Sequence, residues 1–219
     1  MKILTWNIER LKKGKDKVLS AITKLDADIL ILTETNIVIN PGAKYNCVAT
    51  KKLPLQYDGI NYKEEENRTT IWSKYSIIDT TETHDNYTSV CADVATEYGN
   101  LKVYGTIIGI FGGIGERFTN DLEGSLSDFK KFDRSQSICI AGDLITFLSG
   151  YVYPSHKARN SLLEAFDELD MECVTKGLKE NVDHIALSKH FILNKNITIE
   201  TWNHDKKLSD HIGICLTIN

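Results

Sequence analysis

The chain is poor in proline, with three in 219 residues, and no stretch gathers proline, glycine and serine into a linker. It offers no evident place to divide. With roughly 150 residues per domain as a soft guide, one domain over residues 1–219 is the economical reading. No apolar run reaches the ~18 residues that a membrane span needs. The start, Met1-Lys2-Ile3-Leu4-Thr5, lacks the basic, apolar and small-residue series of a signal peptide, so a cytoplasmic protein is expected. Cysteine is sparse: Cys47, Cys91, Cys139, Cys173 and Cys215 are odd in number, widely spread and form no CxxC pair. Buried reduced thiols fit that pattern better than a disulfide framework or a zinc site. Neither sign of charge dominates, with 26 Lys and Arg against 30 Asp and Glu for a net charge of −4. That balance does not advertise a polyanion partner, although a local basic groove is compatible with it.

What is present is ordinary globular material, 42% hydrophobic and 26% charged, which rules out disorder, collagen or coiled coil for the whole chain. Lys2–Asn7 reads as a strand, Asp16–Leu25 as a helix with Val18, Leu19, Ile22 and Leu25 on one face, and Ile29–Glu34 as a second, buried strand. Short strands follow at Thr69–Trp72, Ser89–Val94 and Leu101–Ile108. Gly109–Gly115 is a loop; it lacks the spacing and the Lys-Ser/Thr of a Walker loop. A helix over Phe118–Phe132 leads to a strand at Ser137–Ala141, and a second amphipathic helix covers Ala158–Leu169. Val182–Leu187, Ile197–Trp202 and Ile212–Ile218 complete the strands. Strands and helices alternate in both halves, which predicts an α/β fold of two packed sheets with helices outside.

Acidic and amide residues recur where strand-like runs end or begin: Asn7, Glu34, Asp143, Asp183 and Asp210-His211. Strand ends are where α/β folds place ligands. One His with Asn, Glu and several Asp, and no Cys, suits a hard cation such as Mg²⁺ or Mn²⁺ better than zinc. Taken singly, Asn7 suits a turn or cap, Asp143 after glycine suits a turn, and Ser209-Asp210-His211 suits a polar loop. Their joint order favours a shared site.

That order resembles the endonuclease/exonuclease/phosphatase superfamily, the DNase I-like fold. The matching segments are Thr5-Trp6-Asn7-Ile8, Leu32-Thr33-Glu34-Thr35, Ala141-Gly142-Asp143, Val182-Asp183-His184-Ile185 and Ser209-Asp210-His211, with a supporting turn at Trp72-Ser73-Lys74-Tyr75. The resemblance implies a four-layer, two-sheet α/β sandwich and hydrolysis of a phosphate ester with Mg²⁺ or Mn²⁺. By that resemblance Glu34 is the principal metal ligand, with Asn7 and Asp210 completing the shell. His211 faces the scissile phosphate and Asp183 fixes its tautomer. Asp143 orients or deprotonates the attacking water, and either Asp143 or His211 can be the base. His184 is expected to be structural.

Two departures bear on activity. The family usually reads Gly-Asp-x-Asn, and here Gly142-Asp143-Leu144 is followed by Ile145, whose side chain can donate no hydrogen bond. In the strand Lys102–Ile107, where the family presents a Tyr or His to the phosphate, the register points to Thr106, with Tyr104 as the nearby substitute. Arg68 is a candidate phosphate contact, weighed against a solvated arginine. Three functions stay open. One is a phosphodiesterase acting as a monomer on nucleic acid, at full rate or slowed by Ile145. The second is a phosphoesterase acting on a phospholipid, inositol phosphate or nucleotide. The third is an inactive domain that binds a phosphate-bearing ligand or a protein.

Overall fold

Alternation of side chains along the strands builds the molecule. In the computed structural model, which describes residues 1–219, β1 (Lys2–Asn7) turns Ile3 toward one core and Leu4 and Trp6 toward another. β2 (Ile29–Asn36) does the same with Ile29 and Ile31 against Leu30 and Leu32. A strand with apolar residues on both faces must be covered on both, so each sheet is sandwiched.

The first sheet also holds β3 (Asn46–Ala49), β6 (Glu66–Ser73), β13 (Ile197–Trp202) and β14 (Gly213–Ile218), in the order β13-β14-β1-β2-β6-β3. The second holds β7 (Ile77–Thr81), β8 (Ser89–Thr96), β9 (Gly99–Ile107), β10 (Ile138–Asp143), β11 (Met171–Cys173) and β12 (Asp183–Ser188), in the order β11-β12-β10-β9-β8-β7. β1 runs parallel to β2 and β9 parallel to β10, and every other pairing within the two sheets is antiparallel. Each parallel pair is joined by a crossover helix, α1 (Lys15–Leu25) in the first half and α2 (Glu116–Phe129) in the second. Two short strands, β4 (Gln56–Tyr57) and β5 (Ile60–Asn61), form a separate hairpin.

Eighteen buried residues fill the space between the sheets, among them Ile3, Ile31, Ile71, Val103, Ala141, Ile185 and Leu216. α1 covers the first sheet through Val18 and Ile22. α2 covers the second through Phe118, Leu122 and Phe129, beside α3 (His156–Glu168), whose N-terminus is capped by Ser155 accepting from the Ala158 N–H at 3.1 Å. The result is the expected four-layer α/β/β/α sandwich. α4 (Lys189–Ile192) is a single turn, and no helix is long and apolar enough to cross a membrane. The predicted helices fall within two or three residues of α1, α2 and α3. The short strands β3, β4, β5, β7 and β11 were not foreseen; β3 and β7 are largely exposed edge strands with little apolar alternation to mark them.

His184, on the helix-facing side of β12, is fully buried. Its Nε2–H donates to the Thr146 carbonyl at 2.9 Å, and its Nδ1 accepts from the Thr175 hydroxyl at 3.1 Å. Burial pushes its pKa down to about 4. Between the ordinary imidazole value of 6.5 and 4, the unfolded chain takes up a proton that the native state refuses. Stability from this group is therefore constant above pH 6.5, falls as the pH drops through that window, and levels off below 4. The loss is on the order of 3 kcal/mol. Melting curves from pH 7 to 4 should show it, and His184→Gln should flatten that stretch of the profile. An unchanged profile would exclude His184 as its source.

Candidate active site

The pleat that fills the core also assembles the site. Along β10, Cys139 and Ala141 face the other sheet, and the next residue on that face is Asp143 at the strand's end. On β12, Ile185 and Leu187 face the same way, and Asp183 opens the strand directly opposite Asp143 in the antiparallel register. From the first sheet, Asn7 ends β1 on the inter-sheet side. All three side chains thus emerge at one rim of the sandwich, each no more than 1% exposed. Gly142 permits this closeness: it has φ +135°, and a Cβ there would lie 2.0 Å from the Thr106 carbonyl of the neighbouring strand.

Asn7 joins the sheets. Its Oδ1 accepts from the Glu9 N–H at 3.0 Å, which fixes the amide so that Nδ2 donates to Glu34 Oε1 at 3.1 Å and to Asp143 Oδ2 at 3.0 Å. Glu34 sits at φ +43°, a left-handed kink that costs a non-glycine residue roughly 1–2 kcal/mol. Burial pushes its carboxyl up, against the Asn7 hydrogen bond and the charge of His211, which pull it down.

His211 lies in the turn before β14. Its carbonyl accepts from Trp6 Nε1 at 3.3 Å and from Asn203 Nδ2 at 2.6 Å, and its N–H donates to Ser209 Oγ at 3.1 Å. Ser209 Oγ in turn donates to the Asn7 carbonyl at 2.6 Å, tying this turn to the end of β1. The imidazole Nδ1 meets Asp183 Oδ2 at 2.6 Å, and Nε2 stands 3.8 Å from both Asp143 Oδ2 and Asp210 Oδ1. Burial opposes charging this ring, but the carboxylates of Asp183 and Asp143 outweigh it and raise the pKa to about 10. Asp143 is itself pushed up to about 7, by burial first and by the Asp183 charge against the pull of His211. A positively charged imidazole therefore sits between the buried side chains of Asp183 and Asp143.

On the other side Glu9 pairs with Lys12 at 3.4 Å and Asp210 meets the His211 ring at 3.8 Å, while Glu34 has no ion-pair partner. Glu34 and the exposed Asp210 border a recess of about 200 Å³ that also contains Glu9. Glu34 Oε1 is held by Asn7, while Oε2 accepts no protein donor. This oxygen-only, anionic donor set fits a hard divalent cation, with Glu34 and Asp210 as its holders. Asn7 turns its Nδ2 to the carboxylates and its Oδ1 to a backbone N–H, so in this geometry it positions Glu34 instead of offering an oxygen.

The structure thus brings together Asn7, Glu34, Asp143, Asp183, Asp210 and His211; it separates Tyr104 and Thr106 from them, and it places Arg68 on the Glu34 recess with its charge already paired. Tyr104 lies on the opposite face of β9, buried under α2, with its hydroxyl on Asp128 Oδ2 at 3.0 Å. Thr106 shares that face and bonds Ser89 Oγ at 2.7 Å. The register expected for β9 was one residue off. The register partner of Asp143 is Ile107, whose side chain offers no hydrogen bond. Arg68 does line the recess, but it is 2% exposed and its guanidinium is neutralised by Asp58 and bonded to Thr88 Oγ1 at 3.2 Å. Ile145 lies beside Asp183 and His211 with φ +48°, and its N–H donates to Asp143 Oδ1 at 3.1 Å. Glu9 was missed. The available signal was an acid two residues beyond Asn7, where a strand runs into a turn.

The family model described as Endonuclease/Exonuclease/phosphatase family matches residues 4–211. No curated protein matches the chain. Among solved structures, the chain is similar to an AP endonuclease from Archaeoglobus fulgidus, at 15% identity and TM-score 0.73, covering 100% of this chain and 99% of that one. It is similar to the endonuclease domain of TRAS1, a telomere-specific non-LTR retrotransposon, at 14% identity and TM-score 0.72, covering 100% and 97%. It is also similar to a variant of the 3′ phosphatase NExo from Neisseria bound to a product DNA hairpin, at 13% identity and TM-score 0.69, covering 100% and 99%. On the match that spans nearly its whole length, the chain belongs to the Endonuclease/Exonuclease/phosphatase family.

Proposed function

We propose that this chain is a divalent-metal-dependent phosphodiester hydrolase acting on nucleic acid. The observation that carries the reading is the meeting, at one rim, of the Glu34–Asp210 carboxylate pair with the largely buried Asp183–His211–Asp143 array. Mg²⁺ or Mn²⁺ held by Glu34 and Asp210 would neutralise charge on the phosphoryl and leaving oxygens. Asn7 keeps Glu34 and Asp143 apart at fixed distances. Asp183 holds the His211 ring so that Nε2 faces the open side, where it can donate to a phosphate oxygen. Asp143 sits within reach of the same space and can accept the proton of an attacking water. Lys179 and Lys206, exposed on the groove beside His211, supply cations for a phosphate backbone. The nucleases among the similar structures support nucleic acid over a lipid or free phosphoester.

A second reading, an inactive domain that binds phosphate ligands, is favoured by Ile145 and Ile107, which put apolar groups where donors would serve. Hydrolysis of bis(p-nitrophenyl) phosphate and of linear DNA and RNA, with Mg²⁺ or Mn²⁺ and with EDTA, decides between the two. Glu34→Ala should remove the turnover. It should also remove the Mn²⁺-dependent rise in melting temperature, which for wild type at 100 times Kd corresponds to about 2.7 kcal/mol. A rise that persists in Glu34→Ala would put the metal elsewhere.

A further inference from the structure

Asp210 and His211 reach the site on a long loop. Trp202 and Gly213 are the last paired residues of the β13–β14 hairpin, so residues 203–212 form its connection, against about 2–5 residues in an ordinary hairpin. The loop contains no helix or strand, and His204, Asp205, Lys206 and Lys207 along it are exposed. The ion pair of Asp205 with Lys207 lies in solvent, where such pairs contribute little. A segment of this kind needs a brace if its far end is to hold side chains at fixed places.

One side chain supplies that brace. Asn203, the first residue of the loop, is buried and sits at φ +61°, a left-handed conformation that asparagine enters more readily than most residues. Its Oδ1 accepts from the Leu208 N–H at 2.9 Å. Its Nδ2 donates to the Ser209 carbonyl at 2.8 Å and to the His211 carbonyl at 2.6 Å. Both amide N–H groups and the amide oxygen are thus engaged within the loop, and they tie its start to its end. On the other flank of the His211 Cα, the His211 N–H is held by Ser209 Oγ at 3.1 Å. With the peptide groups on either side of that Cα fixed, the direction in which the imidazole leaves the backbone is fixed too, and Nδ1 meets Asp183 at 2.6 Å. Trp6 Nε1 reaches the same His211 carbonyl at 3.3 Å, the longer of the two contacts. Asn203 lies outside the five segments that carry the family resemblance.

We propose that Asn203 is a positioning residue for the hydrolysis: its two donations, to the Ser209 and His211 carbonyls, set where the His211 imidazole stands against Asp183 and the phosphate. The kinetic consequence rests on the phosphodiesterase reading, whereas the placement of the ring can be tested without turnover. Asn203 touches no substrate and acts only through the backbone of the loop. A misplacement of about 1 Å among reacting groups can cost on the order of 10²-fold in rate, so losing both donations should lower kcat by about 10–10²-fold. KM should change little, because a displaced imidazole is felt in the transition state more than in the bound substrate.

Two variants separate the contacts. Asn203→Gly suits the left-handed backbone and removes all three side-chain bonds, while Asn203→Asp keeps the acceptor for the Leu208 N–H and removes both donations. The first readout is the low-field proton resonance of the His211 Nδ1–H bonded to Asp183, assigned by its absence from His211→Ala. It should be present in wild type and lost or moved upfield in both variants. The second is kcat and KM for bis(p-nitrophenyl) phosphate with Mn²⁺, where kcat should fall and KM hold. Either variant suffices if the other fails to fold. A lowered melting temperature with the wild-type resonance and kcat would make Asn203 a purely structural residue and overturn the proposal. A loss confined to Asn203→Gly would place the effect in the Leu208 contact and overturn it as well, as would absence of the resonance from wild type. If wild type hydrolyses nothing, the phosphodiesterase reading falls by itself and the resonance alone decides whether Asn203 places the ring.

Discussion

Replacing His211 by alanine is expected to lower turnover by roughly 10²–10⁴-fold, the range typical of a lost general acid or base. The Mn²⁺-dependent rise in melting temperature should be retained. The expectation follows from how the ring is held. Its backbone is fixed on three sides by Trp6, Asn203 and Ser209, so the substitution removes the imidazole without releasing the turn. Its Nδ1 is engaged by Asp183 at 2.6 Å, which leaves Nε2 facing the open side near Asp143 and Asp210. Glu34 and Asp210 remain where they are, so under the proposed reading they would still hold the cation. Asp183→Asn keeps the shape and removes the charge, and it should lower turnover in the same direction. Because the pair acts as a unit, the double variant should be little slower than His211→Ala alone. Single-turnover rates of the three variants measure this. A His211→Ala rate within a few-fold of wild type would remove the imidazole from the chemistry, and multiplicative losses would mean that Asp183 acts independently.

The elements and the principal side chains of this site were legible because they obey local rules. Apolar runs that end in Asn7 and Asp143 or open at Asp183 place those groups at strand ends whatever the partner strands are, and the order of the motifs brought in Glu34 and Asp210-His211. What could not be read depends on neighbours. The face on which Tyr104 and Thr106 lie is set by where β9 begins to alternate. Both faces of that strand are apolar, with Leu101 and Val103 on one and Tyr104 under helices on the other, so hydropathy alone does not fix the phase. Arg68 looked free because its neutralising partner, Asp58, stands on a two-residue turn between strands too short to show a pattern. Glu9 was hidden by the 3₁₀ turn Glu9–Leu11 that folds it back; its carboxylate accepts the Asp210 N–H at 3.2 Å, a contact across 201 positions of sequence. Long-range placement of polar groups is a property of the assembled sheets, and a strand's own residues do not encode it.

Ile145→Asn is expected to raise turnover by about 10²–10³-fold, the range associated with one preorganised donor of this kind. Two physical reasons converge on the position. The first is chemical: Ile145 borders the groove beside Asp183 and His211, where an amide would reach the phosphate or the attacking water and an alkyl group cannot. The second is conformational. At φ +48° a β-branched residue is an outlier, whereas asparagine enters the left-handed region readily, so the backbone already has the shape that an asparagine prefers. The Ile145 N–H donates to Asp143 Oδ1 in either case, which keeps the carboxylate oriented. Stability should change little, because relief of roughly 1–2 kcal/mol of backbone strain is offset by losing the partial packing of Ile145 against the core under α2 and α3. Ile145→Gly separates the two reasons, since it frees the backbone and supplies no amide. A gain with asparagine and none with glycine identifies the missing donor as what limits the wild-type rate. Equal gains from both would assign the effect to strain. No gain from either, with Glu34 and His211 intact, would mean that Ile107 and Ile145 together have turned a hydrolase site into one that holds a phosphate ligand without cleaving it.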